Sequence, residues 1–275
     1  MTGLAALHFL RPMDGRPVAY QYDPPPGVPQ RTGDYDPQPV VIRDARPLAA
    51  GLSLDGEGFA LLDRPSVFAD FGDQDAIRSV YYREVEGLIA GATGAALVIA
   101  FDHNIRSAAR AAGDAGIRPP VERTHNDFTA RSGPDRAARE LRARGLDADR
   151  LLESRFAIVN LWRPIGRPVE KSPLALCDAR SIRAEDLIPS DLVYRDRVGE
   201  TYSLAFDAAQ RWYYFPRLTP AEAILIKGYD SEESGVARFA AHSAFDDPAS
   251  PRAAPERQSI EVRALVLWLD AGAAH

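Results

Sequence analysis

The sequence predicts a mostly β fold with flanking helices, of barrel or jelly-roll type, and two observations carry that prediction. Beyond residue 150 the chain is a succession of short strand-like runs punctuated by Pro and Gly, while helical periodicity is confined to two segments upstream. A parallel α/β sheet would need strands and helices in alternation, which this pattern lacks. At 275 residues the chain can bury a full core without disulfides, and its one cysteine, Cys177, cannot form one internally.

Taken in order, residues 1 to about 60 are dense in turn signals, Pro24-Pro25-Pro26-Gly27, Gly33-Asp34 and Gly51, broken by short β-like runs such as 39–43. They read as an N-terminal extension laid over a core. From Asp73 the pattern changes, with Ile77, Val80, Tyr81, Val85, Leu88 and Ile89 on one helical face and Gly91 and Gly94 closing the helix. Residues 95–101 then read as a buried strand, and 121–128 as a second one carrying His125 and Asp127. A second helix is expected with Pro134 at its first position and Asp135 in its first turn, running to Gly145. The remaining strands are expected at 155–162, 174–178, 201–206, 211–215, 223–229, 238–242 and 259–269, with a capping-box-like turn at Thr219-Pro-Ala-Glu222.

The net charge of -6, from 33 basic and 39 acidic residues interspersed, gives no basic footprint for nucleic acid. The richest basic run, Arg136 to Arg150, alternates with acids and alanines and reads as a solvated helix face. No apolar stretch approaches the roughly 20 residues that span a membrane, and no secretory signal is read at the N-terminus. Single-cysteine usage fits a cytoplasmic location. The expected partner is a small-molecule substrate; the N-terminal extension leaves open whether it covers the barrel or pairs with a second copy as a homodimer.

The chemistry concentrates in three places. In His125-Asn-Asp127 the ligand types sit at i and i+2, on one face of a strand, where they can occupy adjacent positions on one metal. Five histidines and 39 acids yield about 0.7 chance occurrences of this pattern, so alone it proves little. His242 in Arg238-Phe-Ala-Ala-His242 supplies the missing member: two histidines and a carboxylate make a facial triad with open positions for cosubstrate and oxygen. His8 and His275 are terminal, and His103 lacks a same-face carboxylate two residues on, so it reads as a polar loop or surface residue. The third place is Arg257-Gln-Ser259, where a guanidinium can grip a carboxylate and a hydroxyl on the same strand face adds a donor, as the distal end of a 2-oxo diacid requires. A surface arginine at a strand start is the plain alternative.

Glu261 and Arg263 share the face of Ser259, while Ile260, Val262, Ala264 and Val266 share the other, so Glu261 and Arg263 read as an inward structural pair. Trp162, Tyr202 and Tyr214 are substrate-pocket candidates set against the commoner role of aromatic residues in β-core packing. Lys227 fits either an inward charge or a strand-end surface residue, and Cys177 reads as a buried inert thiol.

The motifs Asn160-Leu-Trp-Arg-Pro-Ile165, Ser172-Pro-Leu-Ala-Leu-Cys-Asp-Ala179, Gly199-Glu-Thr-Tyr202, Arg211-Trp-Tyr-Tyr-Phe-Pro216, Lys227-Gly-Tyr-Asp-Ser231, His242-Ser-Ala-Phe-Asp-Asp-Pro248 and Arg257-Gln-Ser-Ile-Glu-Val-Arg263 resemble the CmcJ/AsaB/NvfI-like, or gibberellin-desaturase-like, oxygenases. The resemblance implies a double-stranded β-helix (cupin-like jelly-roll) core over about residues 120–269 within a single oxygenase domain of 1–275. It also implies Fe(II), 2-oxoglutarate and O2 as cofactors, with His125, Asp127 and His242 on iron and Arg257, helped by Ser259, on 2-oxoglutarate. Oxidative decarboxylation of 2-oxoglutarate would drive hydroxylation, desaturation or a related oxidation of a secondary-metabolite C–H bond. The alternatives are a non-catalytic cupin-like metal or ligand binder and, more distantly, a methyltransferase, whose Gly-rich turn opening a helix the chain lacks.

Overall fold

A computed structural model describes residues 3–107 and 117–269. His275 lies outside them. The described residues form two β-sheets, with helices packed against both faces of one of them, in agreement with the expected mostly β jelly roll. Strands run β1 (Gly3–Leu10), β2 (Val18–Tyr20), β3 (Tyr35–Asp44), β4 (Phe59–Asp63), β5 (Leu97–Ser107), β6 (Ile117–Arg118), β7 (His125–Asn126), β8 (Phe156–Pro164), β9 (Leu174–Cys177), β10 (Leu187–Val193), β11 (Val198–Leu204), β12 (Trp212–Tyr214), β13 (Glu222–Asp230), β14 (His242–Ala244) and β15 (Gln258–Leu267). Among the described residues one sheet has the order β1-β3-β12-β9-β14-β7-β11-β10-β2 and the other β4-β13-β8-β15-β5-β6.

Alternation within single strands explains why these sheets face each other. On β8 Ala157, Val159 and Leu161, and on β15 Ile260, Val262, Ala264 and Val266, pack outward against Ile77, Tyr81, Val85 and Ile89. Those last four lie on a π-turn (77–81) and the helix that continues it to Thr93, and each buried aliphatic side chain contributes about 1.5–3 kcal/mol. The opposite faces of β8 and β15 point into the space between the sheets, which is where Asn160, Ser259, Glu261 and Arg263 lie.

The helices are α1 (Gln74–Ala76), α2 (Tyr82–Thr93), α3 (Ser132–Arg142) and α4 (Ala148–Leu151). Asp73 caps α1 by accepting from the backbone amides of Asp75 and Ala76, and Gly94, at φ 66°, ends α2 in the left-handed conformation. The N-terminal turn of α3 packs so closely on β13 that a Cβ at Gly133 would meet the Tyr229 ring at 2.4 Å.

The first 63 residues supply strands to both sheets, β1 to β3 in one and β4 in the other, and Leu7, Phe9 and Ile42 are buried against Trp212. Two residue readings are corrected. His103 lies on β5, in register with Val262, and is hydrogen-bonded to Tyr82 and Gln74; its strand continues past the expected end at 101. In the basic run Arg139, Arg142, Arg144 and Arg150 are exposed as expected, whereas Arg136 is half-buried, lines a cavity and pairs with Glu140 and Asp102. Lys227 takes the inward position, fully buried between Asp230 and Asp55. Strand β10 falls in a stretch read as neither strand nor helix.

Candidate metal centre

Short strands at the middle of the larger sheet bring the expected ligands together. Strand β7 pairs with β14 so that His125 and His242 lie directly opposite each other, their ring centroids 4.5 Å apart. Asp127 follows β7, and its Oδ1 is 3.8 Å from His125 Nε2. One ligand atom from each of His125, Asp127 and His242 falls within 4.8 Å of the others. Two nitrogens and a carboxylate oxygen at this spacing can hold a divalent transition metal.

The backbone prepares both imidazoles. His125 Nδ1 lies 2.8 Å from the Arg123 carbonyl and His242 Nδ1 lies 3.3 Å from the Ala240 carbonyl. Each carbonyl accepts a hydrogen bond, which places the proton on Nδ1 and leaves Nε2 as the ligand atom. Burial, with the nearby charge of His242, pushes His125 down to about 3. Burial alone would raise Asp127, but the Arg263 guanidinium and the two imidazoles hold it well below the usual carboxylate range. Metal ligands must be deprotonated, and both groups are so at neutral pH.

Asn126, between the ligands, is buried and faces the other way. Its Nδ2 donates to the Gly228 carbonyl at 2.7 Å and the Phe128 carbonyl at 2.6 Å, and Gly228 sits at a bulge of β13 in the opposite sheet. A two-residue strand is thereby pinned across the interior. On the ligand side, Asp127 Oδ2 accepts from Asn160 Nδ2 at 2.7 Å and Arg263 Nε at 2.9 Å.

Arg257 immediately precedes β15, and Ser259 lies on its inward face. Arg257 is 5% exposed, donates through Nη1 to the Ser172 carbonyl, and places its guanidinium 5.2 Å from the Trp162 ring centroid. Its Nε and the Ser259 hydroxyl are buried without a hydrogen-bond partner, and among the described residues no carboxylate pairs with it. Burial, reinforced by Arg106, pulls Arg257 down to about 9. A buried cation beside an orphaned hydroxyl is costly unless an anion joins them, and a carboxylate satisfies both.

The aromatic candidates divide. Trp162 underlies Arg257, and Tyr202 packs edge-on against Phe239 with its hydroxyl accepting from the Ala130 amide. Tyr214 is packed against Phe245 in the cluster around Trp212. A cavity of about 710 Å³ opens on His125 and Asp127, and its wall includes Tyr35, Arg106, Ser190 and Ser203. Ser203 sits in register with His125 and is hydrogen-bonded to both Tyr35 and Ser190. Sequence reasoning missed this wall, because its residues come from four strands and no local motif joins them. Arg263 was legible as inward but not as a partner of Asp127.

Among the described residues no helix is long and apolar enough to cross a membrane. The profile of a family described as an oxidoreductase/YMDC permease-like domain matches residues 7–267. The chain is 35% identical to the Fe(II)/2-oxoglutarate-dependent dioxygenase NvfI of Aspergillus novofumigatus, over 94% of each chain. It is 34% identical to the hydroxylase/desaturase EfuI of Hormonema carpetanum, over 86% of this chain and 85% of that one. The solved structure of the iron and alpha-ketoglutarate-dependent endoperoxidase NvfI superposes with a TM-score of 0.86 at 30% identity, covering 97% of this chain and 98% of that one. With His125, Asp127 and His242 grouped as a candidate metal site and with these relatives, the chain belongs to the NvfI-like family of Fe(II)/2-oxoglutarate-dependent dioxygenases.

Proposed function

We propose that His125, Asp127 and His242 hold the Fe(II) of this dioxygenase and that Arg257 and Ser259 anchor the distal carboxylate of 2-oxoglutarate. The observation that carries the reading is the pair of orphaned donors at the start of β15, Arg257 Nε and Ser259 Oγ. Bound iron with 2-oxoglutarate supplies the oxidant derived from O2. The chain's own residues do the rest. Hydrogen bonds from the Nδ1 atoms aim His125 and His242, and Arg257 fixes one end of the cosubstrate. The cavity bounded by Tyr35, Ser190 and Ser203 presents one C–H bond of a small secondary metabolite to the metal. Hydroxylase/desaturase and endoperoxidase relatives support an oxidation of this class, and Trp162 contributes by supporting Arg257. A cytoplasmic placement accords with the free, buried Cys177 thiol.

The test is anaerobic addition of Fe(II) and 2-oxoglutarate. The protein is expected to develop a weak visible charge-transfer band that His242→Ala abolishes and Arg257→Ala weakens. Succinate release on admitting O2 is the expected turnover. A featureless spectrum from intact protein would overturn the reading in favour of a non-redox metal or ligand binder.

A further inference from the structure

We propose that Arg263 and Asn160 are positioning residues that fix the carboxylate of Asp127, holding its Oδ2 so that Oδ1 alone is presented to the metal. The inference rests on the reading of His125, Asp127 and His242 as ligands. Asp127 directly follows β7 of the larger sheet, whereas both donors come from the smaller one, on adjacent strands in which Arg263 and Asn160 are directly paired. Their nitrogens converge on the same oxygen, Arg263 Nε at 2.9 Å and Asn160 Nδ2 at 2.7 Å. Two donors occupy the lone pairs of Oδ2, and Oδ1 is the oxygen that lies 3.8 Å from His125 Nε2.

The donors are themselves held. Arg263 Nη2 reaches Glu261 Oε1 at 3.0 Å and its Nη1 reaches Asp102 Oδ1 at 3.2 Å, so all three corners of the planar guanidinium are engaged. Asn160 Nδ2 also reaches Glu261 Oε1, at 3.3 Å. Glu261 and Asp102 therefore orient the arginine, and the arginine orients the ligand. A carboxylate free to rotate can chelate a metal through both oxygens and fill a position that the cosubstrate needs. Anchored by one oxygen, it offers a single donor. Packing alone would need only the Arg263–Glu261 pair; it gives no reason for two donors from neighbouring strands to meet on one oxygen of Asp127.

The experiment is an anaerobic Co(II) titration of the full-length protein followed by visible absorption, then addition of 2-oxoglutarate to the loaded protein. Arg263→Gln and Asn160→Leu are expected to raise the Co(II) Kd about 10–100-fold, the usual effect of losing an outer partner of a ligand. At saturating Co(II) they are also expected to diminish the spectral response to 2-oxoglutarate. Arg263→Lys, which keeps the charge and one donor, should recover part of both. Asn160→Leu strands no charge, so its result stands even where Arg263→Gln fails to fold. Folded variants that bind Co(II) within about threefold of the parent and give the parent's spectrum would overturn the proposal. A parent that binds no Co(II) would overturn the ligand reading and this proposal together; a responsive parent with indistinguishable variants would overturn this proposal alone.

Discussion

His125 is the residue whose setting has the clearest consequence in solution. In the folded chain it is pushed down to about 3, first by burial and then by His242, whereas an unfolded histidine titrates near 6.5. Between those values the unfolded chain binds a proton that the folded chain refuses. Stability from this group is therefore present above about pH 6.5 and is lost as the pH falls toward 3. Urea unfolding with a chelator present should show a stability that declines from pH 7 to 4.5 in the parent and declines less in His125→Gln. An unchanged slope in the variant would assign the effect to another group. The residues of the site were legible to different depths for the same physical reason. His125-Asn-Asp127 is local, and alternation along β15 turns Ser259, Glu261 and Arg263 inward, but nothing local says that Arg263 meets Asp127 or that Asn126 reaches Gly228. Those partners are set by which strands face each other across the interior.

At the scale of elements, the junction of α3 with β13 controls the segment after Asp127. Thr129 and Ser132 are hydrogen-bonded to Glu200 of β11, and Gly133 lies against the Tyr229 ring. Gly133→Ala adds a methyl group where a Cβ would stand 2.4 Å from that ring, so either helix or ring must move. A loss of about 1–3 kcal/mol in denaturant unfolding is expected, the usual cost of overpacking. A variant as stable as the parent would show that α3 shifts freely. The helix at 82–93 and most strands of the second half were legible because their apolar spacing is periodic. Strand β10 was not, since its alternation is weak and only one of its residues, Ser190, is buried. Strand β7 has only two residues, too few for any period, and exists because β14 and β11 flank it.

For the molecule as a whole, pairing brings distant parts of the chain side by side. Strand β3 pairs with β12, β2 with β10, and β4 with β13, so the first 63 residues are woven through both sheets. Sequence alone indicated turn-rich strands there but not their neighbours, because lateral order is decided by burial of both faces rather than by local propensity. The contact with the greatest reach is the direct pairing of His125 with His242, since nearly half of the chain lies between them. An ion gripping both imidazoles and Asp127 is thus a reversible staple across a very long loop. Every ion bound only by the folded chain adds to its stability by mass action, about 2.7 kcal/mol at a free concentration a hundredfold above Kd. The melting temperature should accordingly climb with added Co(II) in the parent and stay flat in His242→Ala. If the ion is held there, the folded state would outlast its metal-free form, so the lifetime of the fold would track the supply of the ion before any substrate is involved.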